Sequence, residues 1–121
     1  MTNQVAVVTG AGSGIGSAIA RELGRRGFHV VVTDIDRSAA EKVSNEISQS
    51  SFYQLDVTNP ELVDQVAEDV YNKTGRLDVW VSNAGISKMQ NYIETSPADL
   101  RKTFEVNTFG IFYCGQSAAK V

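Results

Sequence analysis

The stretch from Thr9 to Gly16 reads TGAGSGIG and places four glycines at alternating positions. It follows the apolar run VAVVT, Val5 to Thr9, which is typical of a strand buried on both faces of a parallel sheet. Apolar residues then recur every four positions from Ile15 to Leu23, as on one face of a helix. A strand, a glycine turn and a helix N-terminus direct unpaired backbone N–H groups to one place, which predicts an anion-binding site.

The alternation of short apolar runs and helical patterns continues along the whole chain. Further strands are predicted at Phe28 to Thr33, Ser51 to Leu55 and Leu77 to Ser82. Further helices are predicted at Ala39 to Ile47, Leu62 to Val70 and from Ser96 onward. Four strand–helix alternations imply right-handed crossovers. The predicted fold is therefore α/β: a Rossmann-type, doubly wound parallel sheet, partial, of about four strands with flanking helices.

Local signals mark where several helices begin or break. Ser38 and Glu41 have the spacing of a capping box for the second helix, and Thr58 stands where it would cap the third. We expect the last helix to break near Gly110, because glycine is a poor helix former.

Length and composition favour one globular domain. The chain has 121 residues, 42% of them apolar and 21% charged, with a net charge of −3. The interspersed charges are unlike the basic surface of a nucleic-acid-binding protein, and no apolar run is long enough for a membrane span. No secretory signal opens the chain, and the single cysteine, Cys114, excludes an internal disulfide. We expect a cytoplasmic protein that binds neither nucleic acid nor membranes, and a single histidine gives no metal site.

The predicted sheet leaves one strand uncovered. In the usual strand order the fourth strand lies beside the first, and nothing follows in the chain to cover its far side. The chain also stops at AAKV inside a helical pattern. These features predict that residues 1–121 are a dinucleotide-binding Rossmann half-domain, truncated before its catalytic part.

The glycine spacing distinguishes between families of dinucleotide-binding proteins. The strict pattern G-x-G-x-x-G is absent, because its third glycine position falls on Ile15, Ser17 or Ile19. The pattern present is T-G-x-x-x-G-x-G, formed by Thr9, Gly10, Gly14 and Gly16. This pattern resembles the signature of the short-chain dehydrogenase/reductase family.

Further landmarks resemble that family in the same order along the chain. They are Asp34 at the end of the second strand, Asp56-Val57 after the third, Asn83-Ala84-Gly85 after the fourth, and Asn107 in the last helix. The resemblance implies that the cofactor is bound by Thr9, Gly10, Gly12, Ser13, Gly14, Ile15, Gly16, Asp34, Ile35, Asp56, Val57, Asn83, Ala84 and Gly85. It also implies that Asn107 is a catalytic residue that holds a water in a proton relay.

Each of the later landmarks has an alternative structural explanation. Asp56 also fits a turn-forming residue, Asn83 a turn residue in the left-handed region, and Asn107 a kink in its helix. These alternatives remain open from the sequence.

Asp34 favours NAD as the cofactor. A carboxylate at this position would hydrogen-bond the ribose hydroxyls and repel a 2′-phosphate, and the glycine loop holds no lysine or arginine. Arg37 is the argument for NADP, because it lies just beyond the second strand; Asp36 beside it favours an ordinary solvated side chain.

The resemblance implies an NAD-dependent oxidoreductase that acts on a small-molecule alcohol or ketone. The family's tyrosine and the lysine four residues later are missing, since Val57, Gly75, Ser96 and Ser117 follow the four tyrosines at that distance. We therefore expect the chain alone to be inactive. Relatives of the family associate through the last helix, which implies a homo-oligomer. A non-catalytic nucleotide-binding or interaction module remains the alternative.

Overall fold

The computed structural model describes residues 3–121, so the first two positions of the predicted domain lie outside the described residues. The strands are β1 (Val5–Val8), β2 (His29–Asp34), β3 (Ser50–Gln54) and β4 (Val79–Val81). The α-helices are α1 (Gly14–Arg25), α2 (Arg37–Ser44), α3 (Pro60–Thr74), α4 (Pro97–Phe104) and α5 (Gly110–Lys120).

The strands form one parallel sheet in the order β3-β2-β1-β4. Val7 of β1 lies opposite Val31 of β2 and Trp80 of β4, which fixes the register at the centre of the sheet. The predicted Rossmann-type sheet with flanking helices is therefore confirmed. Because the carboxyl ends of parallel strands share one edge, the loops that follow them meet there.

Side chains of the strands alternate between two apolar clusters. Val7 and Val31 belong to a cluster with residues of α3 and α5, whereas Val8 and Val32 belong to a cluster with residues of α1 and α2. All four valines are fully buried. The fold has three layers, with the central strands covered on both faces, as their continuous apolar runs predicted.

Two helix starts differ from the sequence prediction. Asp36 caps α2 by accepting a 3.1 Å hydrogen bond from the Ala39 N–H, so Ser38 lies inside the helix. Asn59 caps α3, because the Thr58 hydroxyl donates instead to Asp56 Oδ1 at 2.7 Å. The predicted caps were wrong because another polar side chain stood at the last extended residue before each helix.

The last helix runs without a break from α4 into α5 through a π-helical turn at Glu105–Phe109. The irregularity that we expected near Gly110 therefore lies just before this residue. A Cβ atom at Gly110 would lie 2.7 Å from Val57 Cγ2, so the glycine allows the helix to pass close to the loop after β3. No helix described between residues 3 and 121 combines the length and apolar character needed to cross a membrane.

Candidate functional site

A cleft of about 600 Å³ opens at the carboxyl edge of the sheet. It gathers many of the predicted site residues: Gly10, Ser13, Gly14, Ile15, Asp34, Ile35, Asp56, Val57, Asn83, Ala84 and Gly85. Its lining also includes residues that the sequence did not single out: Leu55, Ile86, Lys102 and Val106. Thr9, Gly12, Gly16 and Asn107 do not line the cleft, although each adjoins or contacts a residue that does.

The glycine loop packs tightly against the segment after β4. A Cβ atom at Gly10, whose φ is 61°, would lie 2.8 Å from Ala84 Cα. A Cβ atom at Gly16 would collide with the Gly10 carbonyl oxygen and the side-chain nitrogen of Asn83. These glycines therefore permit two loops from distant parts of the sequence to touch.

The N-terminus of α1 keeps its backbone donors free of side-chain caps. Ser13 occupies the N-cap position without a side-chain hydrogen bond, and the first turn contains no acidic residue. By contrast, α2, α3 and α4 are each capped by a side chain. Since Ser13, Gly14 and Ile15 line the cleft, the positive end of α1 faces it.

Asp34 is held in the wall of the cleft by backbone hydrogen bonds. Its Oδ2 accepts from the Gly12 N–H, and its Oδ1 accepts from the Asp36 N–H, both at 2.9 Å. A carboxylate oxygen has two lone pairs, so each oxygen can accept one more hydrogen bond from a ligand. Gly12 thus acts through Asp34 and does not itself line the cleft.

Arg37 does not line the cleft. Its guanidinium carbon lies 5.1 Å from the centre of the Phe52 ring, which is a cation–π contact.

Asp56 forms the turn that the sequence left open as an alternative. Its Oδ1 accepts hydrogen bonds from the Thr58 N–H at 2.9 Å and the Thr58 hydroxyl at 2.7 Å. It nevertheless lines the cleft beside Val57, so this half-buried side chain has both a structural contact and a place in the site.

Thr9 joins β1 to the segment after β4. Its buried hydroxyl oxygen accepts from the backbone N–H groups of Asn83 and Ala84, each at 3.0 Å. The side-chain amide of Asn83 in turn donates to the carbonyls of Thr9 at 3.0 Å and Gly10 at 3.2 Å. Thr9 and Asn83 together fix one end of the cleft.

Asn107 lies in the π-helical turn and holds Ile86. Its Oδ1 accepts from the Ile86 N–H, and its Nδ2 donates to the Ile86 carbonyl, both at 2.8 Å. The helix is therefore distorted at Asn107, in line with the structural explanation that the sequence left open for this residue. Both the oxygen and the nitrogen of the Asn107 amide bind the backbone of Ile86. In this structure the Asn107 side chain therefore positions the loop after Gly85.

Periodicity gives a signal for two residues that the sequence analysis missed. Lys102 and Val106 are four positions apart on one helix face, and both line the cleft. Leu55 and Ile86 directly adjoin predicted site residues. Within residues 3–121, no three His, Cys, Asp or Glu residues are grouped so as to hold a metal ion.

The sheet order and the site at its carboxyl edge define a Rossmann-type α/β protein. The sequence model for short chain dehydrogenases matches residues 4–121. The chain belongs to the short-chain dehydrogenase family.

Curated relatives match almost the whole chain. Versicolorin reductase stcU from Emericella nidulans is 41% identical over 98% of this chain and 47% of its own length. Secoisolariciresinol dehydrogenase from Forsythia intermedia is 34% identical over 100% of this chain and 45% of its own length.

A solved structure of a short-chain dehydrogenase from Streptomyces avermitilis has a TM-score of 0.88 to this chain at 35% identity. The match covers 98% of this chain and 44% of that one. The chain therefore spans less than half the length of these relatives.

Proposed function

We propose that residues 1–121 are the cofactor-binding part of an oxidoreductase that transfers a hydride between NAD and a small-molecule alcohol or ketone. The observation that carries the proposal is that the α1 N-terminus, free of any side-chain cap, and the Asp34 carboxylate face one cleft. The first attracts phosphate and the second accepts hydrogen bonds from ribose hydroxyls.

The lining of the cleft suits the pyrophosphate and the adenosine ribose of a dinucleotide. Backbone donors of Gly14 and Ile15 suit the pyrophosphate, and Asp34 suits the adenosine ribose. Ile15 and Ile35 are 75% and 64% exposed, so they offer apolar surface to a ligand at this edge. When bound, the nicotinamide of NAD accepts or donates the hydride.

The charges near Asp34 support NAD over NADP. A 2′-phosphate beside the Asp34 carboxylate would meet like charge. Arg37, the basic residue next to this position, is engaged with Phe52 and does not line the cleft.

Tyr53, which lies beside a lysine, is not suited to be the expected proton-transfer group. Tyr53 lies near Lys73, with 3.4 Å between its hydroxyl and the lysine Nζ, but its hydroxyl donates to Asp69 at 2.5 Å. Burial and the hydrogen bond to Asp69 raise the pKa of Tyr53, which is the wrong direction for a general base. We propose that the proton-transfer groups lie elsewhere in the full natural polypeptide, and that residues 1–121 alone bind nucleotide without turnover.

Association of copies through the last helix is also a proposal. Exposed apolar residues on α4, the π-helical turn and α5 support it: Leu100, Phe104, Phe109, Ile111 and Phe112. Asn107 as a proton-relay residue and a cytoplasmic location remain predictions.

Titration of the full natural polypeptide with NAD and NADP tests the cofactor proposal. Asp34→Ala should weaken NAD binding by about tenfold, the scale of one lost hydrogen bond to a charged group. Asp36→Ala is the matched control, because Asp36 caps α2 and does not line the cleft. Unchanged NAD affinity in Asp34→Ala, or a wild-type preference for NADP, would contradict the proposal.

Activity separates an enzyme from a binding module. We expect the full polypeptide to form NADH with at least one member of a panel of diols, polyols and other alcohols. Tight NAD binding without any turnover across such a panel would favour the non-catalytic module.

A further inference from the structure

We propose that Lys102 is the cation of the nucleotide cleft and attracts the pyrophosphate from the side opposite the glycine loop. This inference rests on the proposed function, because it assumes that a dinucleotide occupies the cleft.

Most cations of the chain already have a partner. Seven form ion pairs with carboxylates: Arg21, Arg25, Arg26, Lys73, Arg76, Lys88 and Lys120. Arg37 stacks on Phe52. Among residues 3–121, Lys42, Arg101 and Lys102 have neither an ion pair nor an aromatic contact, and of these only Lys102 lines the cleft.

The carboxylates of the cleft do not account for Lys102. Asp34 accepts from two backbone N–H groups, and Asp56 accepts from the N–H and hydroxyl of Thr58. Neither carboxylate forms an ion pair with Lys102. The ammonium group is therefore available to a ligand, and it is the only lysine or arginine in the described lining of the cleft.

The position of Lys102 sets it across the cleft from α1. Val106, one turn further along the helix, packs in the apolar cluster on the α3 and α5 side of the sheet. The helix α1 packs on the other side. An anionic group above the sheet edge would therefore lie between two positive ends, the N-terminus of α1 and the Lys102 ammonium.

Paired substitutions separate a local effect of Lys102 from a change in net charge. Lys102→Met keeps much of the length of the side chain and removes the charge. Arg101→Met removes one charge from the adjacent residue, which is also exposed and unpaired but does not line the cleft. Lys102→Arg restores the charge and should restore binding.

The experiment compares NAD, ADP and adenosine binding to the full natural polypeptide at low and high salt. Lys102→Met should weaken NAD and ADP binding by about threefold to tenfold at low ionic strength, because one cation is lost from the lining of the cleft. This loss should shrink at 1 M salt, where the Debye length is about 3 Å. Adenosine binding should be unchanged, and Arg101→Met should bind all three ligands as the wild type does.

Several results would overturn the inference while leaving the proposed function intact. These are wild-type affinity for NAD in Lys102→Met, an equal loss in Arg101→Met, or an equal loss for adenosine. Failure of the wild type to bind NAD would instead contradict the proposed function, so the two failures are distinguishable.

Discussion

The first strand–helix–strand unit, residues 5–34, and the segment from 78 to 107 are held by different kinds of interaction. Val8, Val30 and Val32 of the first unit are fully buried. The residues of β4 are only half-buried, and in the following loop Met89 and Tyr92 are 97% and 94% exposed. The first unit is stabilised chiefly by apolar burial, whereas the later segment has little burial to position it.

Polar contacts contribute to that positioning. Asp78 accepts from the Val5 N–H at 2.8 Å at the start of β4. The Thr9 hydroxyl accepts from the backbone N–H groups that follow β4, and the Asn107 amide binds the backbone of Ile86 in the next loop. Apolar burial therefore stabilises one wall of the cleft, and a few hydrogen bonds set the place of the other.

The largest expected effect comes from the buried sheet. Val31→Ala should lower the free energy of unfolding by about 2.5 kcal/mol, because it leaves a cavity in a fully packed core. Val79→Ala is the matched control on half-buried β4 and should cost about 1 kcal/mol. Urea denaturation measures both. Equal losses would show that the two regions do not differ in the way described.

Thr9 should contribute more to the free energy of unfolding than Thr33, another buried threonine of the sheet. Thr9→Val should cost about 2 kcal/mol, because it leaves the N–H groups of Asn83 and Ala84 without an acceptor. The hydroxyl of Thr33 donates to the Val8 carbonyl at 3.0 Å, so Thr33→Val should cost about 1 kcal/mol. Urea denaturation compares them, and Thr9→Ser should recover most of the loss. A greater cost at Thr33 would contradict the role assigned to Thr9.

Loss of Asn107 should act locally. Asn107→Leu removes both hydrogen bonds to Ile86 and should cost about 1 to 2 kcal/mol. Hydrogen exchange should quicken at Ile86 and its neighbours while β1 and β2 stay protected. Asn91→Leu is the control, since Asn91 is exposed and its side chain contacts only Glu94 at 3.3 Å. Uniformly faster exchange across the sheet would show that the contact stabilises the whole fold.

The smallest expected effect is the loss of stability at low pH that comes from Asp78. The Arg76 guanidinium and the Val5 N–H lower the pKa of Asp78. A carboxyl whose pKa is lower in the folded than in the unfolded state stabilises the folded protein. This contribution is complete at pH values above the pKa of the unfolded state, about 3.9, and is lost as the pH falls through the pKa of the folded state.

Thermal melts between pH 7 and pH 2 test this dependence. Asp78→Asn should melt below the wild type at pH 7, and the two should converge in acid. Arg76→Met should move the loss to higher pH. A constant difference between Asp78→Asn and the wild type at every pH would exclude the linkage.

Sequence reasoning succeeded where the signal was local. The apolar runs at residues 5–9 and 28–33 require burial on both faces, and this was enough to predict the central parallel strands. The glycine run after the first strand likewise predicted an anion-binding turn at the start of a helix, and the N-terminus of α1 does face the cleft.

Sequence reasoning failed where the structure depends on contacts between distant residues or on competition between neighbouring side chains. Asp36 and Ser38 both suit a helix cap, and the choice depends on where β2 ends. Asn107 in the π-helical turn pairs with Ile86, 21 residues earlier, and no local pattern shows such a contact. Lys102 was overlooked because only the folded helix brings it to the cleft.

The N-terminus of α1 has no side-chain cap, which would couple folding to nucleotide binding if the proposed function holds. On the proposed function, the nucleotide supplies the hydrogen-bond acceptors that a capping side chain supplies to α2, α3 and α4, so it would complete the fold as well as the site. Ligand at a hundred times its dissociation constant adds about 2.7 kcal/mol to the stability of a protein that binds it only when folded. The lifetime of this protein would then follow the nucleotide concentration around it.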